Sequence, residues 1–362
     1  MSVTPDSFLE QLLDEKEQAR VQNQESREDR VLLLRRQLVS LLGDFGVHHS
    51  SLDGLLEPTQ GIDPCPLDPV VIERMELEEV VRERVEYSTM NGLRMLTYVV
   101  IPKTRPAGVR LPAVVLWHGH GYGSKSMVGL KADNSPVLEE KLSDNLALAL
   151  ARRGSIAFAP EIVGFGDRRL DRDIDKKPDI ANSCFNLSVS LLMAGKTTAG
   201  LRTMEAIRTV DYAMTRPEVD TQRLGTMGFS GGGTVSMLLA ALDTRVKASV
   251  VGIYANTFRN SLLLMTHCLC NYIPHALESF EMPDLLELIA PRSLFIEAGS
   301  LDPIFPLPGT QEAIQRVSEV YHHLGIPERF GYHIHDGGHE VNGTQSLDWL
   351  VTELVCRTRH PW

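Results

Sequence analysis

A serine flanked by glycines is the strongest sign of chemistry in this sequence. The pentapeptide Gly228-Phe229-Ser230-Gly231-Gly232 follows a continuous apolar run and precedes a stretch of small residues typical of a helix start. A Gly-x-Ser-x-Gly sequence at a strand-to-helix turn is a nucleophile elbow, which holds the serine in a strained conformation and exposes its hydroxyl. The same pattern also occurs in ordinary glycine-rich turns, so the context decides. Here the context predicts that Ser230 is a nucleophile.

A serine hydroxyl needs a base, and the base needs an acid that orients it. Downstream of Ser230, Asp302 follows one apolar run and His339 follows another, the histidine directly after two glycines. Asp302 precedes a proline and could instead begin a turn, and Asp336 on the histidine's own loop is a rival acid. His339 could be an ordinary surface histidine. The occurrence of all three residues in this order favours a catalytic triad of Ser230, Asp302 and His339.

Acyl transfer also needs N–H donors for the oxyanion that develops on the substrate. Gly231 supplies the backbone N–H directly after the nucleophile. The segment Trp117-His118-Gly119-His120-Gly121 follows an earlier apolar run, and we predict the backbone N–H of His120 as the second donor, with that of Gly121 as the alternative. The His118 side chain is expected to brace this loop by hydrogen bonding.

Two histidine-containing segments raise the question of a metal. His118 and His120 lie two residues apart without a carboxylate or a third ligand nearby, unlike a hydrolytic zinc site. The segment His267-Cys268-Leu269-Cys270 resembles part of a zinc site but lacks a second ligand pair at matching spacing. We therefore predict no metal. No complete dinucleotide-binding or phosphate-cradling loop is present either.

The elements that must position these loops follow from hydrophobic patterning. Two antiparallel strands are predicted at 76–88 and 93–101, joined through Asn91-Gly92. Further strands are predicted at 113–117, 156–159, 224–229, 248–253, 293–297 and 330–334. Continuous apolar runs separated by helical stretches indicate a mostly parallel twisted sheet with helices on both faces. The loops carrying Asp302 and His339 then lie at the carboxyl edge of that sheet, near Ser230.

The chain divides into two predicted parts. Residues 4–42 have helical periodicity and 43–69 are rich in glycine and proline, so we predict an N-terminal helical extension and connector over 1–69 and a catalytic domain over 70–362. The leucines of the extension need an apolar partner, either the catalytic domain or a second subunit in a homodimer.

Two long segments, 170–199 and 256–289, are predicted to cap the serine. The candidate pocket residues are Tyr122, Phe229, Met265 and Tyr272.

Composition excludes several classes of partner. The net charge of −11 argues against nucleic acid and anionic membranes, which favour basic surfaces. The five cysteines do not have the spacing of a disulfide framework. The first twenty residues include several acidic residues and lack the apolar core of a signal peptide. We therefore predict a cytoplasmic protein. No apolar run approaches the roughly 18 residues that span a bilayer.

From about Arg82 to Cys356 the chain resembles the α/β-hydrolases, in particular the dienelactone hydrolase and acetyl xylan esterase-like branch of bacterial serine esterases. The resemblance rests on His118-Gly119-His120-Gly121, the Ser230 pentapeptide, Ala290-Pro291-Arg292, the segment from Gly299 to Pro306, and Gly338-His339-Glu340. It implies the α/β-hydrolase fold and cofactor-free hydrolysis of carboxylic esters. The nucleophile is serine where dienelactone hydrolases have cysteine, so the resemblance does not extend to lactone specificity.

These observations predict a serine carboxylesterase that acts through an acyl-enzyme on small-molecule, short-acyl (acetyl-type) esters. A serine peptidase or amidase of the same fold is the alternative, because a triad alone does not distinguish an ester from an amide. A non-catalytic binding module would be favoured by a missing triad member, and none is missing.

Overall fold

A computed structural model of the chain describes residues 4–21, 26–45, 49–52, 55, 64–105, 108–138, 141–175 and 182–356. Within these segments a single sheet contains the strands β1 (Val70–Glu76), β2 (Val80–Met90), β3 (Leu93–Pro102), β4 (Leu111–Trp117), β5 (Ile156–Pro160), β6 (Val219–Phe229), β7 (Ala248–Gly252), β8 (Ser293–Gly299) and β9 (Phe330–His335). Their spatial order is β1-β2-β3-β5-β4-β6-β7-β8-β9. The first three strands and the β3–β5 pair are antiparallel, whereas every other neighbouring pair is parallel.

The helices lie between and beside these strands. They are α1 (Pro5–Val21), α2 (Arg27–Leu42), α3 (Leu146–Arg152), α4 (Asp171–Ile174), α5 (Cys184–Met193), α6 (Thr198–Thr215), α7 (Gly231–Leu242), α8 (Ala276–Ser279), α9 (Met282–Glu287), α10 (Leu307–His323) and α11 (Thr344–Cys356). Short 3₁₀ turns cover Ser50–Leu52, Ser124–Met127, Leu142–Asp144, Gly166–Arg168, Leu269–Asn271 and Pro327–Arg329. Along the described segments, every helix is too short or too polar to cross a bilayer.

Side chains on the central strands alternate between two hydrophobic cores, as the pleat of a strand requires. On β4, Ala113 and Val115 belong to the core that packs against α6 and α7, whereas Val114 and Leu116 belong to the core beneath α3 and α11. Both faces of the sheet are therefore buried, which explains why the central strands are continuous apolar runs. The predicted α/β-hydrolase architecture, a mostly parallel sheet with helices on both faces, is confirmed.

The sequence patterns predict all the strands except β1. The Asn91-Gly92 hairpin joins β2 to β3, with Gly92 at a φ of 78° that favours glycine. Every residue of β1 is exposed, because this strand lies at the edge of the sheet. An exposed edge strand has no buried face, so its sequence lacks the apolar alternation by which strands are recognised.

The two N-terminal helices pack differently. Four apolar residues of α2 are buried in the main core: Leu34, Leu38, Val39 and Leu42. Helix α1 instead lies on the segment before β8, where Arg20 donates to the carbonyl of Leu277 at 2.5 Å and Arg259 pairs with Asp14 at 2.6 Å. The leucines of α2 thus find their apolar partner within this chain. The domain boundary at residue 70 and a homodimer stay predictions, and much of the predicted connector lies outside the described residues.

Candidate active site

Ser230 occupies the sharp turn between β6 and α7. Its backbone has a φ of 53°, a left-handed conformation that is costly for a serine, and its N–H donates to the Gly252 carbonyl at 2.9 Å. The turn depends on its flanking glycines. A Cβ on Gly228 would lie 2.1 Å from the Gly232 carbonyl oxygen, and one on Gly232 would lie 2.2 Å from the Trp117 carbonyl oxygen. The local sequence therefore imposes a tight turn that points the hydroxyl out of the sheet.

His339 lies between Ser230 and Asp302. Its Nε2 is 2.8 Å from Ser230 Oγ, and its Nδ1 is 2.7 Å from Asp302 Oδ2. The three residues follow β6, β8 and β9, whose carboxyl ends meet at one edge of the sheet. The structure thus brings together the three residues that the sequence proposes as a triad.

Asp302 is buried, and its second carboxylate oxygen is also fully used. Oδ1 accepts hydrogen bonds from the backbone N–H groups of Ile304 at 2.8 Å and Phe305 at 3.0 Å. Burial raises the pKa of Asp302, but the hydrogen bonds from His339 and these amides outweigh it and hold the pKa below its ordinary value. The carboxylate is therefore charged at neutral pH. The rival acid, Asp336, is exposed.

The loop that carries His339 is tied to the sheet by Glu297, which sequence reasoning missed. Glu297 lies on β8, is fully buried, and accepts hydrogen bonds from the backbone N–H groups of Asn342 and Gly343 and from the Ser346 hydroxyl. These bonds hold the chain just after His339. The signal in the sequence was a lone acidic residue in an otherwise apolar strand, which is unfavourable unless it is hydrogen-bonded.

The loop after β4 is braced from below by His118, as predicted. The Nε2 atom of His118 accepts a hydrogen bond from the Ile162 N–H at 3.0 Å, and Nδ1 donates to the Gly119 carbonyl at 2.8 Å. Burial lowers the pKa of His118 to about 3, so the ring is neutral. Among the described residues, no acceptor bonds to the backbone N–H groups of His120 and Gly231, the two predicted oxyanion donors. Both amides are thus available to a substrate.

A cavity of about 570 Å³ opens over Ser230 and His339. Of the candidate pocket residues, Phe229 and Met265 line it, whereas Tyr272 lines a neighbouring cavity beneath α1, and Tyr122 lines neither. Tyr254 and Phe305, which were not proposed as pocket residues from the sequence, also line it, as does His267 from the zinc-like segment. Phe305 contacts the other two rings and also stacks on His339, with ring centroids 5.8 Å apart. Only the folded loops bring these rings together.

The two segments predicted to cap the serine behave differently. The segment 256–289 forms a wall of the cavity through residues 265–268 and Asn271. The described residues of the segment 170–199 do not line it. Residues 176–181 of that second segment lie outside the described part of the chain.

Taken together, the groups around the cavity can carry out acyl transfer. A hydroxyl, an imidazole and a charged carboxylate form a continuous hydrogen-bonded series. His120 and Gly231, whose backbone N–H groups are the predicted oxyanion donors, line the same cavity.

Comparison with known proteins gives consistent findings. A family model described as "Abhydrolase family" matches residues 51–345. The Bacillus subtilis (strain 168) protein YtaP, provisionally named a hydrolase, is 26% identical over 268 residues, which cover 70% of this chain and 81% of YtaP.

Among solved structures, a Bacteroides fragilis protein provisionally named an acetyl xylan esterase has a TM-score of 0.72 at 18% identity, and the match covers 92% of this chain and 83% of that one. A glucuronoyl esterase from Solibacter usitatus has a TM-score of 0.60 at 16% identity, with 88% of this chain and 91% of that chain covered. At these identities the structural likeness establishes the fold.

Proposed function

The chain belongs to the Abhydrolase family, and we propose that it is a serine hydrolase of carboxylic esters that acts through an acyl-enzyme, with short-acyl (acetyl-type) esters as substrates. The observation that carries this proposal is the hydrogen-bonded series from Ser230 through His339 to Asp302 at the base of an open cavity. A small-molecule ester is the proposed partner. A cytoplasmic location and a homodimer remain predictions.

In the proposed first step, Ser230 Oγ attacks the carbonyl carbon of the ester while His339 Nε2 accepts the hydroxyl proton. Asp302 accepts the Nδ1 hydrogen of the imidazole, which fixes the tautomer whose Nε2 lone pair faces the serine. The negative carboxylate also stabilises the imidazolium that forms during attack. The amides of Ile304 and Phe305 keep Asp302 ionised and oriented for this role.

The carbonyl oxygen becomes negatively charged as the tetrahedral intermediate forms. The backbone N–H groups of Gly231 and His120 are the proposed donors to this oxyanion. The imidazolium then gives its proton to the leaving alcohol, and the acyl group stays on Ser230. Water, deprotonated by the same imidazole, attacks the acyl-enzyme and releases the acid.

The short-acyl preference is supported by the cavity walls. Met265, His267 and Phe305 line the cavity, with the His267 and Phe305 ring centroids 5.4 Å apart, and large side chains in the wall favour a small acyl group. A structural relative named as an acetyl xylan esterase is consistent with a short acyl group.

Labelling with an active-site-directed fluorophosphonate tests this proposal. We expect mass spectrometry to find the adduct on Ser230, because its hydroxyl bonds to an imidazole held by a buried carboxylate and faces the cavity. Ser230→Ala should remove the label. Ser143→Ala is the matched control, because Ser143 lines the same cavity, and this variant should label normally. An adduct on another serine would show that Ser230 is not the nucleophile.

Hydrolysis of p-nitrophenyl esters from acetyl to dodecanoyl tests the substrate class. We expect rates to fall beyond butyryl. A flat profile would contradict the short-acyl preference, and faster cleavage of aminoacyl anilides than of any ester would replace the esterase proposal with an amidase.

A further inference from the structure

Four soft donor atoms converge next to the cavity. A ring nitrogen of His120 and the Sγ atoms of Cys184, Cys268 and Cys270 all lie within 4.8 Å of one another. Cys270 Sγ is 3.5 Å from His120 Nε2 and 3.2 Å from Cys268 Sγ. They come from three segments distant in sequence: the loop after β4, the first residue of α5, and the 3₁₀ turn at Leu269–Asn271 with the residue before it.

This donor set has the composition and spacing of a structural zinc site. Three thiolates and one imidazole are a common ligand set for tetrahedral zinc, with Zn–S bonds of about 2.3 Å and Zn–N bonds of about 2.0 Å. Those bond lengths place the donor atoms roughly 3.5–3.8 Å from one another. The separations around Cys270 fall near these values, and four protein donors complete the coordination shell.

A buried arginine next to the cluster supplies the matching charge. The Arg202 side chain is 5% exposed, and its Nη2 atom donates to Cys184 Sγ at 3.2 Å and to the Val163 carbonyl at 3.0 Å. Its hydrogen bonds within the described segments go to a carbonyl and a thiol and not to a carboxylate, although a buried charge is costly without a counter-charge. Three thiolates around a divalent ion leave one net negative charge, which Arg202 would neutralise.

We propose that His120, Cys184, Cys268 and Cys270 bind one zinc ion in a closed, four-coordinate site. Each cysteine loses its thiol proton to solvent as the Zn–S bond forms, and the imidazole binds through Nε2 in its neutral form. The sequence argument against a metal considered only ligand pairs at regular spacing. The fold supplies the remaining ligands singly, from Cys184 and His120.

The zinc ion would join the segments that surround the candidate active site. The His120 ring lies against the residue after the nucleophile, since a Cβ added to Gly231 would be 2.8 Å from His120 Nδ1. Fixing this ring fixes the loop whose backbone N–H is the proposed oxyanion donor. That consequence rests on the proposed function, whereas zinc binding itself does not.

Metal analysis of the full chain tests the site. Protein purified under reducing conditions with added zinc, then dialysed, should retain about one zinc ion per chain. Replacement by Co²⁺ should give visible absorption from thiolate-coordinated tetrahedral cobalt. These two measurements use the wild-type protein and so do not depend on whether a variant folds.

Cysteine variants locate the ligands. Cys184→Ser and Cys268→Ser should each lower zinc content by more than about tenfold, because even substitutions outside the ligand shell cost roughly 10–100-fold in affinity. Cys65→Ser is the matched control and should keep its zinc, since Cys65 lies in a different part of the chain.

Three results would overturn the proposal: wild-type protein without zinc after this treatment, zinc retained at wild-type level in Cys184→Ser, or a disulfide between Cys268 and Cys270 in the freshly purified native protein. Ser230→Ala should retain its zinc. A protein that binds zinc but fails to react with fluorophosphonate would contradict the esterase proposal alone.

Discussion

The group Ser230–His339–Asp302 and the group formed by His120 and the three cysteines lie close together, but the fold holds them in different ways. The first group sits at the ends of β6, β8 and β9, where backbone ladders and the hydrogen bonds from Asn342 and Gly343 to Glu297 set the positions of its loops. The second group sits on segments between the strands. No strand ladder in the described segments joins Cys184 to Cys268, so contacts among side chains hold them together.

This difference predicts that the two groups affect turnover and the free energy of unfolding to different extents. A side chain held by a ladder can be replaced without moving its neighbours, whereas a side chain that itself joins two segments cannot. Substitutions in the first group should therefore change turnover and leave unfolding almost unaffected. Substitutions in the second group should change the free energy of unfolding more than they change turnover.

Ser230→Ala should have the largest effect on turnover. It removes the proposed nucleophile, so kcat for p-nitrophenyl acetate should fall by on the order of 10⁶. Urea unfolding should give a free energy within about 0.5 kcal/mol of wild type, because only a partly exposed hydroxyl is lost. Near-wild-type turnover would show that Ser230 is not the nucleophile. A large fall in the free energy of unfolding would contradict the proposed difference between the two groups.

Asp302→Asn should have the next largest effect. An amide at this position no longer favours the required tautomer of His339, so kcat should fall by about 10⁴ with a smaller change in KM. Asp336→Asn is the matched control on the same edge of the sheet, and its steady-state kinetics should remain close to wild type. If Asp336→Asn lost most of its turnover and Asp302→Asn kept nearly all of it, Asp336 would replace Asp302 as the acid of the triad. The proposed roles of Ser230 and His339 would not change.

Removing the proposed zinc should affect stability more than turnover. At free zinc one hundred times above the dissociation constant, the bound ion adds about 2.7 kcal/mol to the free energy of unfolding, and a chelator should remove that amount. Turnover should fall by less than the roughly 10²–10³ that loss of an oxyanion donor costs, because the loop is also braced by His118. The free energy of unfolding of Cys184→Ser should be the same with and without the chelator. If a chelator abolished turnover without changing the free energy of unfolding, the prediction that zinc acts mainly on stability would be wrong.

Glu161→Gln should have the smallest effect on turnover. This variant tests the buried carboxyl group beneath the loop after β4, the loop that carries His120. Glu161 is buried beneath the loop after β4 and accepts hydrogen bonds from the N–H and hydroxyl of Ser124 at 2.9 and 3.0 Å. Burial raises the pKa of this carboxyl from 4.5 to about 7. The folded state therefore binds a proton more tightly than the unfolded state does, and the stabilisation present below about pH 4.5 is lost as the pH rises through about 7.

Unfolding of wild type and Glu161→Gln across this pH range measures the effect. The glutamine variant should gain on wild type by roughly 3 kcal/mol between pH 4.5 and 8, because glutamine has no proton to lose. A difference that does not change with pH would show that the Glu161 carboxyl titrates normally.

Sequence predicts one part of this site well because its signals are local. The glycines around Ser230 are required by contacts within the elbow and with the adjacent loop, and the apolar runs before Asp302 and His339 identify the strands that end there. Parallel strands share a carboxyl edge, so three residues far apart in sequence were expected at one place, and the structure brings them within hydrogen-bonding distance. Their catalytic roles remain predictions.

What the sequence by itself determined is thus the succession of strands and helices from β2 onward, the elbow, and the three residues at the sheet edge. The tertiary structure alone decided where the long loops lie: Tyr272 lines a second cavity, Phe305 stacks on His339, and Cys184 meets His120. The physical reason is that a strand's register and pleat dictate its side-chain directions, whereas a loop's side chains point where packing against distant segments allows.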